Sequence, residues 1–231
     1  MIHRFSSRRQ PRLGRTFLAE RLKNARAYDR IAGYFTSSLL EVVGEELESV
    51  QGQIRIVCNA QLDPRDVLTA QAAKLSIRRA WTSARPELDL EQPGGEQLQE
   101  RYARLYRLLR DGKMQVRVLP DHVYGLLHGK AGIITLADGR KTSFLGSANE
   151  SRLAWESNYE LLWEDDSPEA VAWVEEEFRA LWTSPHARPL SELVIEDIQR
   201  LAQRRVIYHL PEWQPEDQVA EPAPAIIETP V

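Results

Sequence analysis

Short apolar segments rich in β-branched residues alternate along this chain with longer segments of helical periodicity. Residues 53–58 form such a β-branched run, which is typical of a strand. Asp63 and Pro64 then supply an N-cap and a first turn, which indicate that a helix begins there. A chain of 231 residues that alternates in this way predicts an α/β fold, in which a mixed β-sheet is flanked by helices.

The same periodicities give approximate bounds for the elements and for the domain. Strands are predicted at residues 30–35, 53–58, 114–119, 132–136, 142–145 and 158–163. Helices are predicted at residues 12–27, 37–47, from 63 onward, 98–109, 167–181 and 190–205. We expect a single domain over residues 12–210, with an irregular basic arm at 1–11 and a Pro-rich tail or linker at 211–231.

The distribution of charge is more informative than the net charge of −4. Residues 1–30 contain nine basic and two acidic residues, whereas residues 156–231 contain five basic and seventeen acidic ones. The N-terminal arginines Arg8, Arg9, Arg12 and Arg15 are therefore candidates for contacts with a phosphate backbone, the alternative being a solvated charged surface.

Cysteine content and hydropathy restrict the cellular setting. The single Cys58 excludes an internal disulfide and a cysteine metal cage. No apolar run reaches the roughly 18 residues of a membrane span. We therefore expect a soluble cytoplasmic protein that does not associate with membranes.

One stretch of the second half combines residue types suited to phosphate chemistry. His128 and Lys130 are two residues apart, so on a strand they share a face; Ser147 and Asn149 have the same spacing and follow a glycine. Asp138-Gly139 predicts a hairpin turn that would bring these two pairs together. Lysine, serine and asparagine can hold phosphate oxygens, and histidine can act as nucleophile or acid. Glu160, on a neighbouring strand, could orient an imidazole.

These residues resemble the signature of the phospholipase D superfamily, which reads H-x-K, then usually Asp five residues later, then G-S-x-N. His128-Gly129-Lys130, Gly146-Ser147-Ala148-Asn149 and Asn158-Tyr159-Glu160 all match, within residues 127–164. Thr135 stands where the family often has Asp. The chain looks most like the compact single-motif, nuclease-like branch, which occurs alone or fused ahead of helicases in bacterial defence proteins.

The resemblance implies a metal-independent phosphodiesterase that needs no cofactor. His128 would form a phosphohistidine, Lys130, Ser147 and Asn149 would hold the phosphate oxygens, and Glu160 would orient a histidine. Because the chain carries one copy of the motif, the second histidine is expected from the other subunit of a homodimer.

The expected function is a nuclease acting on DNA rather than RNA. An alternative is a catalytically silent module that binds nucleic acid, dimerises and serves a helicase or other ATPase partner. A lipid or small phosphodiester hydrolase is a third hypothesis, which the basic N-terminus disfavours. His122 and Trp155 are further, weaker candidates for contacts with nucleic acid.

Overall fold

A computed structural model describes residues 1–60, 62, 64–80, 96–120, 123 and 125–192. The strands are β1 (Ile2–Ser6), β2 (Ala27–Ile31), β3 (Ile54–Asn59), β4 (Met114–Leu119), β5 (Ala131–Thr135), β6 (Lys141–Gly146), β7 (Leu161–Asp165) and β8 (Arg188–Pro189). The α-helices are α1 (Glu20–Leu22), α2 (Leu40–Ser49), α3 (Pro64–Ala80), α4 (Glu96–Arg110), α5 (Arg152–Glu156) and α6 (Pro168–Trp182). A π-helix (Gly14–Ala19) precedes α1, and 3-10 turns occupy Ser37–Leu39 and Leu190–Glu192.

The eight strands form one mixed sheet in the order β1-β7-β6-β5-β2-β3-β4-β8. The pairs β2/β3 and β3/β4 are parallel, and the other neighbouring pairs are antiparallel. The hairpin β5–β6 and the adjoining β7 are consecutive in the sheet. This arrangement confirms the predicted α/β fold with a mixed sheet.

Helices cover both faces of the sheet. On one face the π-helix and helices α2 to α5 contribute to a large apolar core that includes Phe17, Leu47, Leu105 and Trp155. On the other face α6 packs Val171, Val174, Phe178 and Trp182 against residues of β2, β3 and β5. The sheet is therefore the middle layer of a sandwich, and its strand ends are left to form sites.

The prediction of an irregular arm at residues 1–11 is wrong for its first half. Ile2–Ser6 is an edge strand that pairs antiparallel with β7, and the Phe5 ring packs 4.9 Å from the Phe17 ring. The polar and basic residues misled the prediction because an edge strand tolerates charge on its open side. The sheet therefore begins at the N-terminus, before residue 12, where we expected the domain to start.

The other predicted elements are shifted by a few residues at most, apart from two. The first helix is shorter than predicted and largely π-helical, and β2 ends at Ile31 rather than continuing to Phe35. Most of the predicted helix at 190–205 and the predicted tail at 211–231 lie outside the described residues. Within the described part of the chain, no helix is long and apolar enough to cross a membrane.

Candidate active site

The β5–β6 hairpin brings the two halves of the histidine–lysine and serine–asparagine pattern together. Residues 128–130 lead into β5 and residues 147–149 follow β6, so both segments lie at the same end of the hairpin. The Gly146 N–H donates to the Lys130 carbonyl over 3.1 Å, which extends the ladder to this end. The predicted convergence is therefore present in the backbone.

Ser147 and Glu160 are joined directly. The Ser147 hydroxyl donates a short hydrogen bond to Glu160 Oε2, and the same hydroxyl accepts the Leu161 N–H over 3.1 Å. Asn158 Nδ2 donates to the other carboxylate oxygen over 3.5 Å. Among the described residues, the Glu160 carboxylate thus contacts a hydroxyl and an amide, and the predicted contact with an imidazole is not formed among them.

Lys130 and Asn149 meet over Gly33, a residue that sequence reasoning did not select. A Cβ atom at Gly33 would lie 2.7 Å from Asn149 Oδ1 and 3.1 Å from Lys130 Nζ, so only glycine leaves both groups where they are. The Tyr34 N–H donates to Asn149 Oδ1 over 3.2 Å. This bond leaves the amide NH₂ of Asn149 as the group that can donate to an anion.

The Lys130 ammonium is largely buried and donates to the His128 carbonyl over 2.7 Å. Desolvation lowers its pKa from the ordinary value of 10.5, the positive charge of Arg30 lowers it further, and Glu160 opposes both effects. A partly desolvated cation gains more from a bound anion than an exposed one does, because water screens it less.

His128 itself is exposed, and the chain before it is fixed by another buried residue. Asn59, at the end of β3, is 1% exposed, and its Nδ2 donates to the Leu127 carbonyl over 3.2 Å. In the sequence, only the position of Asn59 at the end of a predicted strand indicated a functional role, and no motif spacing identified it. Asn59 therefore holds the backbone that presents His128.

Thr135, which replaces the Asp common in the family, lies away from these residues. It is the last residue of β5, paired with Ala27 and Lys141 at the hairpin-turn end. Five residues of strand separate it from Lys130, which corresponds to about 16 Å. The substitution therefore removes no group from the cluster.

The weaker candidates for contacts with nucleic acid differ in their exposure to solvent. Arg8 and Arg9 are exposed in the turn after β1. Arg12 and Arg15 are also exposed, each with a nitrogen 3.8 Å from the Glu156 carboxylate.

Trp155 is not available to stack on a base. Its side chain is 1% exposed and its ring stacks on Phe17 with 6.5 Å between centroids. The prediction for Trp155 is wrong because a short helix, α5, turns this residue into the core. His122 lies outside the described residues.

The fold agrees with comparisons to known proteins. The family model described as "Cardiolipin synthase, PLD-like domain" matches residues 18–182. That span is well over half of the chain and contains all five clustered residues, so the chain belongs to the phospholipase D superfamily, as predicted. This membership supports phosphodiester chemistry in general.

Comparison with solved structures gives matches at low sequence identity. NucT from Helicobacter pylori is 16% identical, with a TM-score of 0.50 over 82% of this chain and 98% of that one. Nuc from Salmonella typhimurium, a phospholipase D family member, is 14% identical, with a TM-score of 0.47 over 82% of this chain and 97% of that one. No curated protein sequence matches this chain.

Proposed function

We propose that this chain is a phosphodiesterase, and specifically a nuclease that cleaves DNA through a phosphohistidine intermediate. The observation that carries the proposal is the convergence of His128, Lys130, Ser147, Asn149 and Glu160 at one end of the β5–β6–β7 strands.

The chemistry of the cluster favours an anionic substrate. Lys130 Nζ and Asn149 Oδ1 both lie close to Gly33, and Oδ1 accepts the Tyr34 N–H. The groups that remain for a ligand are the Lys130 ammonium and the Asn149 NH₂, and both are donors. Donors of this kind bind the non-bridging oxygens of a phosphodiester. Catalysis then rests on stabilising the charge that develops on those oxygens as phosphorus becomes five-coordinate.

The reaction proceeds in two steps. An imidazole nitrogen of His128 attacks phosphorus, forming a P–N bond while the bond to the leaving oxygen breaks, and a second histidine protonates that oxygen. The second histidine then takes a proton from water, whose oxygen attacks phosphorus and displaces His128. No oxidant, reductant or metal is needed to balance either step.

The second histidine is proposed to come from a second copy of the chain, since the sequence carries one such motif. A two-fold dimer that faces two copies of His128 across one phosphate would supply both groups. Light scattering at micromolar concentration tests this step, and a strictly monomeric active enzyme would contradict it.

Nucleic acid as the substrate is supported by the position of the basic turn after β1. The Ser7 N–H donates to the Glu160 carbonyl over 3.0 Å, and the Glu160 N–H donates to Ser7 Oγ over 2.9 Å. These two bonds hold Ser7 against Glu160, and the exposed Arg8 and Arg9 follow Ser7 in the chain. This proximity supports a role for both arginines in contacts with the neighbouring phosphates of a polynucleotide.

The test compares wild type with His128→Ala on single- and double-stranded DNA and RNA in EDTA. We expect cleavage by the wild type that survives chelation and is absent in the variant. Metal-dependent cleavage, or cleavage that the variant retains, would refute the mechanism. DNA binding by the wild type without cleavage would favour the alternative of a silent binding module for a helicase partner.

A further inference from the structure

A buried ion pair lies beneath the candidate active site and was not part of the predicted constellation. Arg30, on β2, and Glu150, after the serine–asparagine segment, are each fully buried, and Arg30 Nε donates to Glu150 Oε1 over 2.5 Å. The two residues are 120 positions apart in the chain. Tyr28, two residues before Arg30 on the same face of β2, donates its hydroxyl to the same carboxylate oxygen over 3.2 Å.

The guanidinium holds the backbone on both sides of Asn149. While its Nε binds the side chain of Glu150, its second nitrogen donates to the Ala148 carbonyl over 2.5 Å. The guanidinium carbon lies 4.9 Å from the centre of the Phe144 ring, so packing restricts the arginine as well. Asn149 is thereby held between two residues that are both bound to Arg30.

Fold stability alone does not account for this pair. Replacing a buried ion pair by apolar side chains of similar volume is often neutral or stabilising, because two charges no longer have to be desolvated. Here the pair is also incompletely satisfied, since one guanidinium nitrogen of Arg30 and Glu150 Oε2 have no hydrogen-bond partner among the described residues. A role in the adjacent site explains why charged groups occupy this position.

We propose that Arg30 and Glu150 are a positioning pair for the phosphodiester site: they fix residues 148–150 so that Asn149 meets Lys130 over Gly33. The inference rests on the proposed function for its catalytic readout. Neither residue touches the substrate; they act through the backbone of Asn149 and through the charge that Arg30 places near Lys130.

The charges around Lys130 provide a readout that a purely structural role would not change. Lys130 is faced by Arg30 from β2 and by Glu160 from the segment before β7, and His128 lies on its own segment. The positive charge of Arg30 disfavours the protonated form of Lys130. Removing that charge should raise the pKa of Lys130, so that phosphate binding persists to higher pH than in wild type.

The experiment uses two variants and a matched control in the full chain. Arg30→Met/Glu150→Leu replaces the pair by apolar groups. Arg30→Lys retains the positive charge but loses the guanidinium that bonds both the Glu150 carboxylate and the Ala148 carbonyl. The control, Asp29→Leu/Arg55→Met, removes a neighbouring pair with bonds of 2.6 and 2.5 Å, which joins β2 to β3 away from the Ser147–Glu150 segment. Thermal unfolding establishes that each variant is folded.

We expect the apolar double variant to lose about a hundredfold in kcat, as a misplaced catalytic group does, and to bind phosphate up to a higher pH than wild type does. Arg30→Lys should lose about tenfold in kcat, while phosphate binding should be lost at the same pH as in wild type. The control should stay within about threefold of wild type. A kcat near that of wild type in the folded double variant, or in Arg30→Lys should the double variant not fold, would overturn the inference.

A second measurement does not depend on turnover. The Kd for inorganic phosphate, followed by ³¹P NMR, should weaken about tenfold in the double variant and remain unchanged in the control. If wild type cleaves no nucleic acid but this contrast holds, the proposed function fails and the positioning role stands. Equal phosphate affinity in all variants would overturn the positioning role whatever the activity.

Discussion

The substitution Gly33→Ala tests whether Lys130 and Asn149 act together on a phosphate. The added Cβ would lie 2.7 Å from Asn149 Oδ1 and 3.1 Å from Lys130 Nζ, whereas an ordinary contact begins at 3.4 Å. Restoring that contact with Asn149 requires a displacement of about 0.7 Å. Movement is restricted because Asn149 Oδ1 also accepts the Tyr34 N–H.

A displacement of this size is large for catalysis. Misplacing a catalytic group by 1 Å can cost about a hundredfold in rate. We therefore expect kcat to fall by between about tenfold and a hundredfold, which corresponds to roughly 1.4–2.7 kcal/mol of transition-state stabilisation. The free energy of unfolding should change less than this, since the backbone at Gly33 does not have the positive φ that alanine disfavours.

The assay is single-turnover cleavage of a labelled oligonucleotide, with Gly129→Ala as the matched control. Gly129 lies between His128 and Lys130, but among the residues that the structure describes its Cβ would meet only Ile31 Cγ2, at 3.8 Å. We expect this control to retain kcat within about threefold, as a substitution that meets no close neighbour should. A Gly33→Ala enzyme that is as fast as Gly129→Ala would show that Lys130 and Asn149 do not form the phosphate site.

Three further predictions use other features of the structure. Gly132→Ala places a Cβ 2.4 Å from the packed ring of Phe144, so it should lower the free energy of unfolding by about 1–3 kcal/mol; an unchanged Tm would contradict this. Because burial lowers the pKa of Lys130 below 10.5, phosphate binding should be lost as pH rises at a lower pH than for an exposed lysine, and a ³¹P titration that follows an ordinary lysine would be inconsistent with the site. Arg8→Ala/Arg9→Ala should weaken DNA binding at low salt and reduce the slope of log K against log salt by up to about 1.8; an unchanged slope would place the phosphate contacts elsewhere.

The reacting groups could be predicted from the sequence because they are encoded locally. His128 and Lys130 share one segment, Ser147 and Asn149 share another, and a single hairpin turn joins them. Strand periodicity and one tight turn are sufficient to bring such groups together. The same local information predicted most strands and helices of the second half.

The N-terminus was mispredicted because its structure depends on a distant partner. Ile2–Ser6 becomes a strand only by pairing with β7, about 160 residues later. Its composition, with a histidine and an arginine among five residues, indicates an exposed segment, which an edge strand also is. Trp155 was mispredicted in the opposite direction, since we expected an exposed residue and the structure buries it. An aromatic residue beside a strand can either stack on a ligand or pack in the core.

The groups that align the site escaped prediction for the same physical reason. Tyr34 binds Asn149 across 115 residues and Arg30 binds Glu150 across 120, and both depend on β2 lying beside β5 in the middle of the sheet. Because β2 and β5 are far apart in the chain and pair antiparallel, neither neighbour can be deduced from sequence spacing. The motif hairpin thus supplies the reacting groups, while β2 and the loop that follows it determine their relative positions. Substitutions in residues 30–34 should therefore lower the activity although every residue of the motif is retained. Such a result would show that the site is misaligned, not that its reacting groups have been removed.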